Sequence, residues 1–433
     1  MSLDSKQDIC FVFSGQGNQW LDMGRYLLKS DYFRQKLMSF NTILMAEGGC
    51  NSLDQLINLS KEDLYSNQVM QPAIFLIQMV LVSAWKDLGV VPDYVLSHSM
   101  GEFAASVVAG QLTVEEGCQV IQASARLVEQ SQASSGRMML LNADLATANQ
   151  LAAQSDLLWV TVHNTNQWVA LSGKETAIHT ALASCQQQKI KAYLLPAQYA
   201  FHCPLSAIDT SAFMRLIRGV HSMPDACGVN ARLPFYSAAT GDCQQQLAAN
   251  HFVRVIEEPV LFNQAVTALY QKTAQCIFIE IAPFYILNSF IKLLSKQAKR
   301  NNDVFIASMI TQQAIEETFQ TGCQLLAQNG VKINTVDGLN IKLSQNHVPL
   351  DHASNDYYVN MIASILEKLS GQTQLPRNKT FFMLGLNSLV LMQALLQIKE
   401  DANIEITVQD VFDYPTMEKL GAFITEKKAS CTL

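Results

Sequence analysis

Charge is what this sequence has least of. Only 15% of its 433 residues are Asp, Glu, Lys or Arg, while 49% are hydrophobic; soluble chains usually carry about a quarter charged residues. Such a chain can bury a core, which excludes a disordered or solvating polypeptide. Basic residues are the scarcer sign, 30 against 37 acidic, giving a net charge of −7 and a pI near 5.6. No Lys/Arg cluster overrides that balance, so neither nucleic acid nor an anionic membrane is an expected partner. The longest apolar run, AIFLIQMVLVSAW from Ala73 to Trp85, is interrupted by Gln78; it is too short to span a bilayer and reads as a buried helix. The opening MSLDSKQD lacks the basic and apolar regions of a signal peptide, and a cytoplasmic location is expected. Ten cysteines are present without a C-x-x-C or a Cys/His spacing suited to zinc, so reduced thiols and no metal are expected. Cys203 beside His202 raises the idea of a thiol nucleophile, but sequence neighbours point apart in a strand or loop.

At 433 residues the chain is too long for one ordinary domain. Residues 8–13, DICFVF, read as a buried strand running into the glycine turn of SGQGNQW. Later, VPDYVLSHSMGEFAASVVAG reads as turn, strand, turn and helix, the arrangement of an α/β domain with a parallel sheet. Between 136 and 195 the order strand, helix, strand, strand, helix, strand is that of a ferredoxin-like subdomain inserted into the main one. The expected organisation is a core over 8–135 and 196–302, the insert over 136–195, and an extension over 303–342 carrying a helix and the strand VKINTV. A polar, Asn-rich linker over 343–356 then leads to a small all-α bundle over 357–427.

Ser99 stands at the strand-to-helix junction of VLSHSMGEF, where a nucleophile elbow would place its serine, although Ser97 occupies the position of that motif's first glycine. A hydroxyl there is pushed out of the sheet, and the amides of the following helix face developing negative charge. An ordinary helix N-cap is the other reading of Ser99. A serine nucleophile needs a base, and His202 in YAFHCP, held before a proline, is the best placed of eight histidines, though a structural role stays open. Gln16 follows the first strand, at the sheet edge where ligands bind, or else belongs to a plain glycine turn.

These stretches resemble the acyl-CoA:acyl-carrier-protein transacylases and the acyltransferase domains of polyketide and fatty acid synthases over about residues 9–342. The motifs occur in the family's order: FVFSGQGNQW, MQPAIF, HSMGEFAASVVAG, VHNTNQWVALSG, YAFHCP, EEPVLF and EIAPFYIL. The resemblance implies an α/β-hydrolase-like fold in which Ser99 forms an acyl ester and His202 acts as general base and then general acid. It also implies an oxyanion hole from the main-chain amides of Gln16 and Met100, and a substrate pocket involving Gln71, Ser124, Phe201 and Asn164. The histidine would be oriented by a main-chain carbonyl near Glu258. The tail resembles the acyl carrier proteins of polyketide synthases through FFMLGLNSLVLMQALLQI and ITVQDVFDYPTMEKLGAFI. This implies a four-helix bundle bearing 4'-phosphopantetheine on Ser388, attached by a phosphopantetheinyl transferase and serving ketosynthases or other polyketide synthase modules.

What the chain lacks relative to the family narrows the substrate. Members specific for malonyl or methylmalonyl groups hold the free carboxylate with an arginine, and that column falls on Ser124; Arg126, two residues on, points elsewhere around a helix. A buried carboxylate without a partner costs several kcal/mol, so an uncharged acyl group, acetyl or longer, is expected from a CoA or carrier-protein thioester. YAFH mixes the family's two signatures, APF replaces its usual Gly-Pro-His, and Asn387 stands where the carrier motif usually has Asp. Three other readings stay open: a hydrolase releasing acyl groups from carriers, a malonyl transacylase with an atypical anchor, and an inactive docking scaffold. A linker of about 14 residues reaches roughly 20 Å, which favours transfer in cis.

Overall fold

The computed structural model describes residues 7–49, 51–217, 220, 233–248, 250–310, 314–339, 341, 355–372 and most of 374–430. The chain divides into two units, 1–344 and 345–433. In chain order the first begins with β1 (Asp8–Phe13), α1 (Met23–Leu28), α2 (Asp31–Ala46), α3 (Ser52–Ile57), α4 (Asn67–Asp87), β2 (Tyr94–Ser97), α5 (Gly101–Val108) and α6 (Val114–Gln130). An inserted layer follows, β3 (Gly136–Asn142), α7 (Leu145–Ala152), β4 (Leu158–Thr165), β5 (Trp168–Lys174), α8 (Glu175–Gln187) and β6 (Lys191–Leu194). The main layer resumes with α9 (Thr210–Leu216), β7 (Phe235–Ser237), β8 (Asp242–Gln244), α10 (His251–Glu257), α11 (Phe262–Tyr270), β9 (Cys276–Ile281), α12 (Leu287–Gln297), β10 (Val304–Ala307) and α13 (Ile315–Gln328).

This first unit is an α/β domain. Its six-stranded sheet has the order β10-β9-β1-β2-β7-β8 and is parallel except for the β7–β8 edge. β1 is at the centre and buried over Ile9–Phe13, which is why its sequence is nearly continuous in apolar residues rather than alternating. Phe13 is in register with Ser97 of β2 and Ile281 of β9, so these three strands end together. The loops that follow them, holding Gln16, Ser99 and Pro283, therefore emerge at one edge of the sheet. The α4 helix is long and apolar enough to cross a membrane, but 83% of that stretch is buried in the unit, as expected of a core helix. α6 begins in a reciprocal cap: Thr113 Oγ1 accepts from the Glu116 amide at 3.1 Å, and Glu116 Oε2 accepts from the Thr113 amide at 2.8 Å.

The inserted layer is an antiparallel sheet of order β4-β5-β3-β6, the split βαβ arrangement, with α7 and α8 sharing a core with Met139, Leu141, Val169 and Leu171. The extension expected over 303–342 is different in the structure. Val304–Ala307 pairs in parallel with β9 and belongs to the main sheet, so the sheet runs past residue 302. VKINTV, at 331–336, is not a strand; it carries only an isolated bridge from Val336 to Leu339, because β10 already occupies the sheet edge. In the second unit, α14 (Asn355–Ser370), α15 (Ser388–Ala402) and α16 (Met417–Ser430) enclose a core that includes Ile362, Leu366, Leu395, Ile398, Leu420 and Ile424. The linker assigned to 343–356 lies outside the described residues except for Asn355 and Asp356, which begin α14.

Candidate active site

Ser99 follows β2 and precedes α5, with φ at +53°, a left-handed conformation that a serine adopts only under constraint. Two glycines make that elbow possible. A Cβ on Gly101 would run into the carbonyl of Phe13, so only glycine lets α5 start this close to β1. A Cβ on Gly15 would lie 2.9 Å from that of Ser99, so the loop after β1 can pass beneath the elbow only without a side chain there. Ser97 is fully buried and its hydroxyl donates to the carbonyl of Tyr236 at 3.4 Å; a small polar residue is accommodated where the motif has glycine.

Ser99 Oγ lies 2.7 Å from His202 Nε2, which brings together residues 103 positions apart. His202 is also left-handed, at φ +60°, and buried. Its other nitrogen, Nδ1, is buried without a good hydrogen-bond acceptor among the described residues. The carbonyls of Glu258 and Val255 nevertheless act on the ring and favour its charged form. Burial outweighs them: with a smaller contribution from His98, it holds His202 down to about 3. The imidazole is therefore neutral near pH 7 and able to accept the Ser99 proton.

The main-chain amides of Gln16 and Met100 have no acceptor among the described residues. Gln71 and Ser124 meet in a neutral hydrogen-bonded chain. Ser124 Oγ donates to Gln71 Oε1 at 3.0 Å, and Gln71 Nε2 donates to Gln16 Oε1 at 3.2 Å. Ser124 and Gln71 are both buried, and Arg126 is exposed. Phe201 packs between the rings of Tyr199 and His202. Asn164, expected to line the substrate pocket, pairs with the other histidine of the site. Its Oδ1 lies 2.9 Å from His98 Nε2, and burial holds His98 down to about 4 despite this contact.

Residues 10–332 match the family model described as the acyl transferase domain. The chain belongs to the acyl transferase domain family. Residues 359–424 match a second model, the phosphopantetheine attachment site, so the chain joins an acyl transferase domain to a carrier domain for that cofactor. The chain is 29% identical over 295 residues to the polyketide biosynthesis acyltransferase homolog PksD of Bacillus subtilis, covering 66% of this chain and 88% of that protein. It is 30% identical over 344 residues to polyketide synthase 2 of Metarhizium anisopliae, 76% of this chain but only 15% of that much longer protein. Among solved structures, a loading acyltransferase from the avermectin modular polyketide synthase superposes with a TM-score of 0.65 at 25% identity, over 74% of this chain and 99% of that one. A malonyl CoA-acyl carrier protein transacylase from Clostridium perfringens, at 18% identity and a TM-score of 0.63, shares the fold, over 74% of this chain and 98% of that one.

The acyl transferase domain also holds polar contacts that motif reading left unassigned. Glu102, the second residue of α5, is fully buried. It accepts from Ser237 Oγ at 2.8 Å and the Ala239 amide at 3.1 Å, and meets His251 Nε2 at 3.0 Å. It stands in the quoted stretch HSMGEF, but nothing in the sequence pairs it with a histidine 149 positions away. Glu280 accepts from the Ile286, Leu287 and Asn288 amides at the start of α12, while burial raises its pKa to about 7. In the carrier domain, Ser388 is the first residue of the 15-residue α15, whose first turn holds no acidic residue. That helix start suits a phosphate, which its amides attract and no carboxylate of the first turn repels. Asn387 lies outside the described residues.

Proposed function

We propose that the protein loads a non-carboxylated acyl group, acetyl or longer, from a CoA or carrier-protein thioester onto Ser99 and passes it to a carrier thiol in polyketide biosynthesis. The observation that carries the reading is the 2.7 Å contact between Ser99 Oγ and His202 Nε2 at the carboxyl edge of a parallel sheet. Ser99 Oγ attacks the thioester carbonyl carbon as His202 Nε2 takes its proton, and the amides of Gln16 and Met100 receive the oxyanion. The carbon–sulfur bond then breaks, and His202 returns the proton to the departing thiolate, leaving an ester on Ser99. In the second half His202 deprotonates the incoming thiol, whose sulfur attacks the ester carbonyl carbon; the new carbon–sulfur bond remains as the bond to Ser99 Oγ breaks, and His202 protonates that oxygen. The carbonyls near Glu258 and Val255 support the imidazolium that forms in each half. Ser388 would hold 4'-phosphopantetheine, which supplies an acceptor thiol when attached.

Selection against carboxylated groups follows from the chain at Ser124, Gln71 and Gln16, whose groups are neutral and mutually engaged. A malonyl carboxylate placed there has no cation to meet, and desolvating it unpaired costs several kcal/mol. This reading keeps the α/β-hydrolase-like architecture for the first unit and a four-helix carrier bundle for the second. It takes the protein to be cytoplasmic, with a phosphopantetheinyl transferase and ketosynthase-bearing modules as partners. Turnover of acetyl-, butyryl- and malonyl-CoA by the holo protein, followed as carrier-bound acyl and as free acid, tests it. Carrier-bound acetyl or butyryl supports transfer; free acid as the main product replaces transfer with hydrolysis.

A further inference from the structure

The hydrogen bonds beside Ser99 extend past Ser124. On α6, five residues and about 7.5 Å of helix rise beyond Ser124, Glu129 is half-buried against the start of α4. Its Oε2 accepts from the main-chain amide of Asn67 at 2.9 Å, and its Oε1 from the Tyr199 hydroxyl at 2.8 Å. The Tyr199 ring stacks on Phe201 at 5.7 Å between centroids, and Phe201 lies 6.4 Å from the His202 ring. On the other side Asn67 Oδ1 accepts from Gln71 Nε2 at 3.4 Å, and Gln71 also reaches Gln16. The contacts thus run in an arc from the loop after β1, through Glu129, to the catalytic histidine. Both partners of the Glu129 carboxylate are neutral donors, and no Lys, Arg or His pairs with it among the described residues. Burial and the Glu129 contact push the Tyr199 phenol up to about 12, so Tyr199 keeps its proton and donates.

We propose that Glu129 is a specificity-determining residue: its carboxylate gives the acyl pocket an anionic wall that turns away acyl groups ending in a carboxylate. It adds repulsion to the missing cation at position 124, which is how a site discriminates against a ligand as well as for one. The proposal rests on the reading of Ser99 as the acyl carrier given above. Glu129 is half-buried and held by two neutral donors, so its charge is only partly screened by water and no cation offsets it among the described residues.

The test uses malonyl-CoA and propionyl-CoA, whose acyl groups differ only by carboxylate against methyl. Rates of Ser99 acylation of the full chain are read by rapid quench and intact mass for wild type, Glu129→Gln and Tyr199→Phe. The expected result is a malonyl-to-propionyl ratio raised about tenfold in Glu129→Gln, with the propionyl rate within about twofold of wild type, since roughly 1.4 kcal/mol corresponds to a factor of ten. Tyr199→Phe removes a hydrogen bond and keeps the charge, so its ratio stays within about twofold of wild type. Glu129→Met serves as the second uncharged variant should the glutamine form fold poorly. A ratio unmoved by loss of the charge, or moved equally by Tyr199→Phe, overturns the role of Glu129 alone. A wild-type ratio near one overturns both that role and the choice of substrate under Proposed function.

Discussion

At the residue scale, the site is set by what burial does to two imidazoles. His202 and His98 are held down to about 3 and about 4, so between pH 6.5 and those values the unfolded chain binds protons that the folded chain does not. The shift costs nothing well above pH 6.5 and destabilises the fold progressively as pH falls below it, by about 2 kcal/mol for one histidine between pH 6.5 and 5. Denaturant melts of His202→Gln should accordingly lose less stability than wild type over that interval. The same shift predicts that Ser99 acylation, measured by rapid quench, shows no titration near pH 6.5 and stays level down to about pH 5. A half-maximal rate near 6.5 would mean that the histidine is solvated. Removing Glu102 strands His251, Ser237 Oγ and the Ala239 amide in the core, so Glu102→Ala should cost about 3 kcal/mol of unfolding free energy. Ser99, His202 and Gln71 could be read in the sequence because each sits in a short motif, and Ser124 because it is a fixed, ungapped distance beyond HSMGEFAASVVAG. Glu102–His251 and Glu129–Tyr199 could not, because each pair joins residues 70 or more positions apart that no local pattern connects.

At the scale of elements, the active site depends on strands that end in register and on glycines that let loops approach them. Gly101→Ala sets a methyl against the Phe13 carbonyl, so α5 must move away from β1 and carry Ser99 with it. Circular dichroism melts should show a loss of several degrees, and any folded protein should acylate at least tenfold more slowly. The Thr113–Glu116 cap makes a milder test: Thr113→Ala should cost about 1 kcal/mol and leave the acylation rate within about twofold. Sequence reading found the buried strands β1 and β2 because apolar runs beside turns have few alternatives in a parallel sheet, and met β9 only as part of the motif EIAPFYIL. It placed a strand at VKINTV and passed over Val304–Ala307. Four residues carry little periodic signal, and the free edge of β9, rather than propensity, decides which segment pairs.

At the scale of the whole molecule, an acyl transferase domain and a phosphopantetheine attachment site lie in one chain. In the function proposed above, Ser99 takes uncharged acyl groups because position 124 offers serine, hydrogen-bonded to Gln71, in place of a cation. Ser124→Arg should then raise malonyl loading relative to acetyl at least tenfold, at some cost in stability from placing a cation in a neutral, buried site. The most direct measurement is the intact mass of the wild-type chain after brief exposure to equal concentrations of acetyl-CoA and malonyl-CoA, with Ser99→Ala and Ser388→Ala as controls. An acetyl adduct that Ser99→Ala abolishes and Ser388→Ala retains is expected, with little malonyl adduct. A malonyl adduct on Ser99 as abundant as the acetyl one would contradict this choice of substrate.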